Sequence, residues 1–263
     1  MCWQGVNKVE SWHRWVFWEC SYCFCLCDEQ SIKSDRYFNL RKTQAHLYSD
    51  KVVTGVRFVK KNRVFHIQIQ QGQLLPRGAI NESTLEWVPV DDYQISDVTE
   101  GVDSHVMSFE NRGIDLDEVF KYDNMFIVTG VGFNAYDNRL GLDILVSGYN
   151  FEQGTIHIMY TDTVRNIGVD NKELHINNLD LPTRSKENSQ PLSKTKQYLK
   201  FVNTGLEADA GQTTIPFIDI QDVVSNPPVP LAGLGIYYKS SPGYGGFVAP
   251  KLISYDYAAH VRS

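Results

Sequence analysis

The stretch Val52-Val53-Thr54-Gly55-Val56-Arg57-Phe58 returns as Ile127-Val128-Thr129-Gly130-Val131-Gly132-Phe133 and, in paraphrase, as Pro230-Leu231-Ala232-Gly233-Leu234-Gly235-Ile236-Tyr237. A repeated phrase implies a repeated piece of structure, and so a fold with internal symmetry. In each copy a glycine interrupts an apolar run, where it marks a bulge or the close approach of another backbone. A second apolar run follows. Phe65, Ile67 and Ile69 are separated by His66 and Gln68, and Leu140, Leu142, Ile144 and Val146 by Gly141, Asp143 and Leu145. Spacing by two reads as a half-buried strand. The linkers Lys60-Lys61-Asn62-Arg63 and Asn134-Ala135-Tyr136-Asp137-Asn138-Arg139 are polar and turn-forming, so each copy reads as a hairpin.

Ahead of each hairpin, at a nearly constant distance, stands a block of apolar, Asn or Asp, aliphatic and polar residues: Phe38-Asn39-Leu40-Arg41, Ile114-Asp115-Leu116-Asp117 and Ile218-Asp219-Ile220-Gln221. Two features in a fixed order define one unit of a few strands used three times, over about 36–105, 106–196 and 197–257. The polar stretch from Thr183 to Pro191 reads as a loop insertion. Three sheets around a shared axis bury their inner faces together. The expected fold is therefore all-β, a three-fold pseudo-symmetric β-prism-like domain; the alternative is two unrelated hairpins in a β-sandwich.

With 263 residues and 42% hydrophobic side chains, the body can bury a core that needs no disulfide staples. All five cysteines (Cys2, Cys20, Cys23, Cys25, Cys27) lie in an atypical leader, residues 1–34, with Trp3, Trp12, Trp15 and Trp18. Its apolar run from Trp15 to Cys27 is too short to span a membrane. A secretory h-region and a thiolate metal site at Cys20-x-x-Cys23-x-Cys25-x-Cys27 are both possible readings; the preferred one is a poorly ordered leader. A net charge of −6 offers no basic surface to nucleic acid or to an anionic membrane.

Candidates for chemistry are few. Asp115, Asp117, Glu118 and Asp123 cluster, but alternation puts Asp115 and Asp117 on the solvent face of a strand, as an acidic edge that discourages pairing rather than a calcium or general-acid site. His157 and His175, in expected strands Thr155–Tyr160 and Glu173–Asn177, stand singly and make no zinc pair. Trp87 reads as sheet-face packing before a sugar platform. The loop at Gly243, Tyr244, Gly245 and Gly246 has two readings: a tight hairpin needing positive φ, or a ligand site. In the second, Tyr244 stacks on a sugar while the glycines let backbone N–H groups reach its hydroxyls. Asn81-Glu82-Ser83 is the one N-x-S/T triplet, a glycosylation candidate. No nucleophile elbow, phosphate loop, H-E-x-x-H or dinucleotide fingerprint is present, so no catalytic residue, metal or cofactor is assigned.

The phrases Val52–Phe58, Ile215-Pro216-Phe217-Ile218-Asp219 and Pro242-Gly243-Tyr244-Gly245-Gly246-Phe247-Val248-Ala249-Pro250-Lys251 resemble a family of arthropod, largely insect, secreted proteins classed only as a domain of unknown function. That resemblance runs from about Arg36 to Tyr257. It implies secretion and carries over no catalytic residues. A looser likeness, at the level of fold, is to jacalin-type lectins and vitelline membrane outer-layer protein, both three-fold β-prisms; the jacalin sugar loop, G-x-x-x-D, has no match after Gly243. The expected function is a secreted, non-enzymatic binding module for glycans of an extracellular matrix. The alternative is a structural, self-associating component of cuticle, silk, eggshell or gut lining, and a glycoside hydrolase using Asp115 or Asp219 comes third.

Overall fold

In a computed structural model, which describes residues 6–13, 21–27, 34–121 and 123–261, left-handed residue pairs close the first two hairpins. Asn62 and Arg63 have φ of 49° and 66°, and Asp137 and Asn138 of 46° and 60°. Positive φ at both central positions is what a type I′ turn demands, and its twist matches that of the strands it joins. The hairpins are Lys51–Lys61 with Val64–Leu74, and Phe126–Tyr136 with Arg139–Asn150. A third, Leu231–Ser240 with Phe247–Ser254, closes on a longer loop.

The three hairpins agree in detail. Pairing slips between Val53 and Gly55, between Val128 and Gly130, and between Leu231 and Gly233, so a bulge falls at the residue before each repeat glycine. Each return strand is joined by a parallel lead-in strand: Phe38 opposite Phe65, Ile114 opposite Leu140, Ile218 opposite Val248. The chain then leaves its own sheet and lays a short crossing strand against the glycine strand of the next hairpin. Thr43–Gln44 pairs with Val131 and Gly130, Glu118–Phe120 with Gly235 to Gly233, and Val223–Val224 with Val56 and Gly55. The handover runs from the first copy to the second, the second to the third, and the third back to the first.

The glycines make this possible. A Cβ on Gly55 would lie 2.6 Å from Val224 Cγ1 and 3.0 Å from Val223 O; one on Gly130, 2.8 Å from Thr43 O; one on Gly233, 2.5 Å from Val119 O. Each glycine is the place where the neighbour's crossing strand passes against the hairpin.

Equivalent positions of the three hairpins meet in one core: Val53, Val128 and Leu231; Val56, Val131 and Leu234; Phe58, Phe133 and Ile236. Phe58 and Phe133 stack with ring centroids 5.8 Å apart. Each such side chain, fully buried, contributes about 1.5–3 kcal/mol. A small apolar cavity lies among them, lined by Val56, Val131 and Leu234 and their neighbours Ile67, Leu142 and Pro250.

The fold is all-β as expected, in several mixed sheets. Two expectations need correction. Of the strand expected over Glu173–Asn177 only Glu173 pairs, as the end of the two-residue strand Lys172–Glu173 against Gln197–Tyr198; Leu174 then packs against the main core. Asp115 and Asp117 are buried, 3% and 5% exposed. The strand of Asp115 is no edge, because Gly113–Leu116 lies between Gln197–Lys200 and the return strand of the second hairpin, and Asp117 follows just past its end. In the leader, Val6–His13 and Ser21–Cys27 pair antiparallel as a sheet of their own; the thiolate motif there lies partly outside the described residues. No described helix is long and apolar enough to cross a membrane.

Candidate functional site

The loop closing the third hairpin is held from below. Asp180 N–H donates to Gly243 O at 2.9 Å, Gly245 N–H donates to Asp180 O at 2.8 Å, and Tyr244 N–H donates to Ser241 O at 3.1 Å. Ser240 Oγ donates to Tyr244 O at 2.5 Å. Gly243 and Gly246 have φ of 86° and 66°, which explains glycine at both. A Cβ on Gly245 would press on Ile215 at 2.6 Å, whereas one on Gly243 would meet nothing within 4 Å. The N–H groups of Tyr244 and Gly245 are thus committed within the protein, and Gly245 and Gly246 are buried. What the loop leaves accessible is a half-buried Tyr244 beside an exposed Gly243.

Asn39, Asp115 and Asp219 hold one place in the three copies, at the lead-in strand. Asn39 Oδ1 accepts from Arg41 N–H at 3.2 Å, and Asp219 Oδ1 from Gln221 N–H at 3.0 Å, an Asx turn where the chain sets off across to the next hairpin. Each also takes a donor from outside its own block: Tyr93 Oη on Asn39 at 3.0 Å, Tyr136 Oη on Asp115, and Lys239 Nζ against Asp219 at 2.6 Å. Asp115 further accepts from Asn171 Nδ2 at 3.1 Å, and the same nitrogen donates to Asp117 at 2.6 Å. Arg139 lies 3.7 Å from Asp115 and donates to Gly168 O at 3.0 Å. Burial pushes the Asp115 carboxyl up to about 6, against the lowering by Asn171 and Arg139. A raised carboxyl is an active-site signature, but here the loop 166–171 closes over the group: a Cβ on Gly168 would meet Asn171 Nδ2 and Tyr136 Oη, each at 2.6 Å. The arrangement holds the chain crossing.

Three charged residues, of which only Glu118 was singled out in the sequence and then as part of an acidic edge, lie one step further along the same blocks. Lys42, Glu118 and Asp222 sit at one aligned position and pair with the next hairpin: Lys42 with Asp143 at 3.1 Å, Glu118 with Lys251 at 2.7 Å, Asp222 with Arg57 at 3.0 Å. Extending the repeat alignment without gaps to Gln44, Phe120 and Val224 would have exposed them. Asn171 left no such trace, being a loop residue outside the repeat.

His157 is exposed beside Tyr160, and His175 pairs with Glu173 at 3.3 Å. Among the described residues no three His, Cys, Asp or Glu side chains gather to hold a metal ion. Trp87 carries the Arg57 guanidinium over its ring at 4.1 Å, in keeping with packing use. Tyr48 and Met159, each 93% exposed, and Tyr160, 69% exposed, mark a surface at the outer strand Thr155–Arg165. Asp123 caps its own turn, accepting from Met125 N–H at 3.0 Å.

A family model described as a domain of unknown function (DUF4803) matches residues 1–69, which take in the leader and the first hairpin as far as Ile69. No curated protein matches the chain.

Proposed function

We propose that the chain is a secreted, non-catalytic binding module built as a three-fold pseudo-symmetric β-prism, akin to jacalin-type lectins and vitelline membrane outer-layer protein, with an extracellular glycan as ligand. The cyclic handover of crossing strands supports the prism. The resemblance to secreted arthropod proteins supports the location. The observation that carries the ligand is the pinned loop, which presents Tyr244 on a rigid base beside an open glycine. An aromatic face fixed in advance binds a sugar ring without the entropy cost of ordering a loop. On a glycan array the protein should bind a restricted set of glycans, and Tyr244→Ala should weaken that binding at least tenfold with an unchanged circular dichroism spectrum. A blank array, or binding indifferent to Tyr244→Ala, overturns the ligand.

Self-association is the second reading, favoured by one observation. Among the described residues the outer strand Thr155–Arg165 pairs, as a strand, only with Arg139–Asn150, and it bears the exposed Met159 and Tyr160. Its occupant would be a second copy of this chain. Sedimentation that depends on protein concentration, is unmoved by free sugars and is abolished by Met159→Lys with Tyr160→Lys would favour it; a monomer at all concentrations would exclude it.

A further inference from the structure

Two copies carry an outer strand on the far edge of their return strand: Ile80–Trp87 against Val64–Leu74, and Thr155–Arg165 against Arg139–Asn150. Among the described residues, neither outer strand pairs with a further strand. An open strand edge is a template for pairing with another chain. The two edges differ in what they bear. The second displays Met159 and Tyr160, whereas the first opens on Asn81-Glu82-Ser83, with Glu82 and Ser83 exposed and Asn81 half-buried.

Within the triplet the hydroxyl and the carboxamide already meet. Ser83 Oγ donates to Asn81 Oδ1 at 2.8 Å and Ser83 N–H donates to the same oxygen at 3.2 Å. Thr84 Oγ1 holds the bend by donating to Asn81 O at 2.6 Å. The carbonyl side of the amide is occupied, while Asn81 Nδ2 forms no hydrogen bond among those the structure shows.

We propose that Asn81 is a site of N-glycosylation and that its oligosaccharide covers the open edge of Ile80–Trp87. In the transfer, Asn81 Nδ2 forms a bond to the anomeric carbon of a lipid-pyrophosphate-linked oligosaccharide. The bond from that carbon to the pyrophosphate oxygen breaks, the lipid pyrophosphate departs, and Nδ2 gives up one proton; nothing is oxidised or reduced. The site rests on the secreted reading, since the donor is found in the secretory compartment, and it is independent of which ligand Tyr244 meets.

The full chain, translated behind a cleavable secretory signal with microsomes, provides the test. Protease-protected protein should run heavier by a single glycan, and peptide-N-glycosidase should reverse the shift. Asn81→Gln and Ser83→Ala should each abolish it, and Ser83→Thr should retain it. Attachment occurs on the entering chain, so a variant that folds poorly still reports. Protected protein without the shift, or a shift surviving Asn81→Gln, overturns the site whatever the glycan array shows. Secreted Asn81→Gln protein should associate at lower concentration than the glycosylated form in sedimentation; equal association overturns the covering of the edge.

Discussion

Gly233 and Gly243 are both glycines for reasons that one added methyl group tells apart. At Gly233 a Cβ would lie 2.5 Å from Val119 O and press on Phe120, so Gly233→Ala must displace the crossing strand. It should cost about 2–3 kcal/mol, the upper part of the roughly 1–3 kcal/mol range of overpacking. At Gly243 the space is open but φ is 86°, so Gly243→Ala should cost about 1 kcal/mol in backbone strain alone. Urea denaturation of the two variants gives the comparison, and equal costs would refute the close-approach account. Asp115 makes a pH-dependent contribution whose sign follows from its burial. With its carboxyl raised to about 6, the folded chain keeps a proton that the unfolded chain has released, so stability declines as pH rises from about 4 to about 6. Asp115→Asn should flatten this decline, a slope of at most ~1.4 kcal/mol per pH unit, without unfolding the protein. The first copy already holds Asn39 at that place. Chemical denaturation across that window measures it, and an unchanged slope would assign the decline to another group.

At the scale of elements, the crossing strands are short and are held by one ion pair each, in different surroundings. Asp143 has a 1% exposed side chain between Lys42 at 3.1 Å and Arg165 at 2.8 Å, with Asn134 as a further donor. Its removal takes charge-assisted hydrogen bonds away from Lys42 and Arg165, whose side chains, 30% and 50% exposed, can turn to water, and Asp143→Ala should cost about 1.5–3 kcal/mol. The Glu118–Lys251 pair, with side chains 34% and 30% exposed, is wetter, and Glu118→Ala should cost under about 1 kcal/mol. Thermal or urea unfolding ranks the two, and a reversed order would show that crossing strands are held by packing alone. The same logic explains Gly132. A Cβ there would meet Lys42 Cγ at 2.8 Å, so the glycine clears the path of the lysine stem, whereas in the first copy Arg57 supplies the cation from that position.

Over the whole molecule, the cyclic handover makes each copy depend on another. The first hairpin receives Val223–Val224 from the third copy, with paired residues 167 and 169 positions apart in the chain. Contacts so distant in sequence form late and together. A chain ending at residue 196 loses that strand and six of the 25 described buried residues of the main core, and leaves the faces of Val56 and Val131 uncovered. It should show no cooperative thermal transition by circular dichroism. A folded fragment would mean that the copies are autonomous.

How far the sequence could be read follows from what each signal depends on. Local alternation and turn residues, which act over a few positions, marked all three hairpins and the lead-in strands, and the glycines pointed to a bulge or a close approach, both of which the structure has, side by side. The exposure of Asp115 was misread because alternation states which side a residue takes, not whether that side is covered; Asn171 and Gly168, far along the chain, cover it. The tight packing of Gly245 against Ile215 and the commitment of the Gly245 N–H to Asp180 were likewise invisible. The amino-acid sequence by itself determined that a strand unit occurs three times and where each glycine must stand, because these are constraints of backbone geometry on near neighbours. Only the tertiary structure decided which copy feeds which, which acids are buried and what pins the loop at Gly243 to Gly246, because those depend on contacts between residues that the chain order holds far apart.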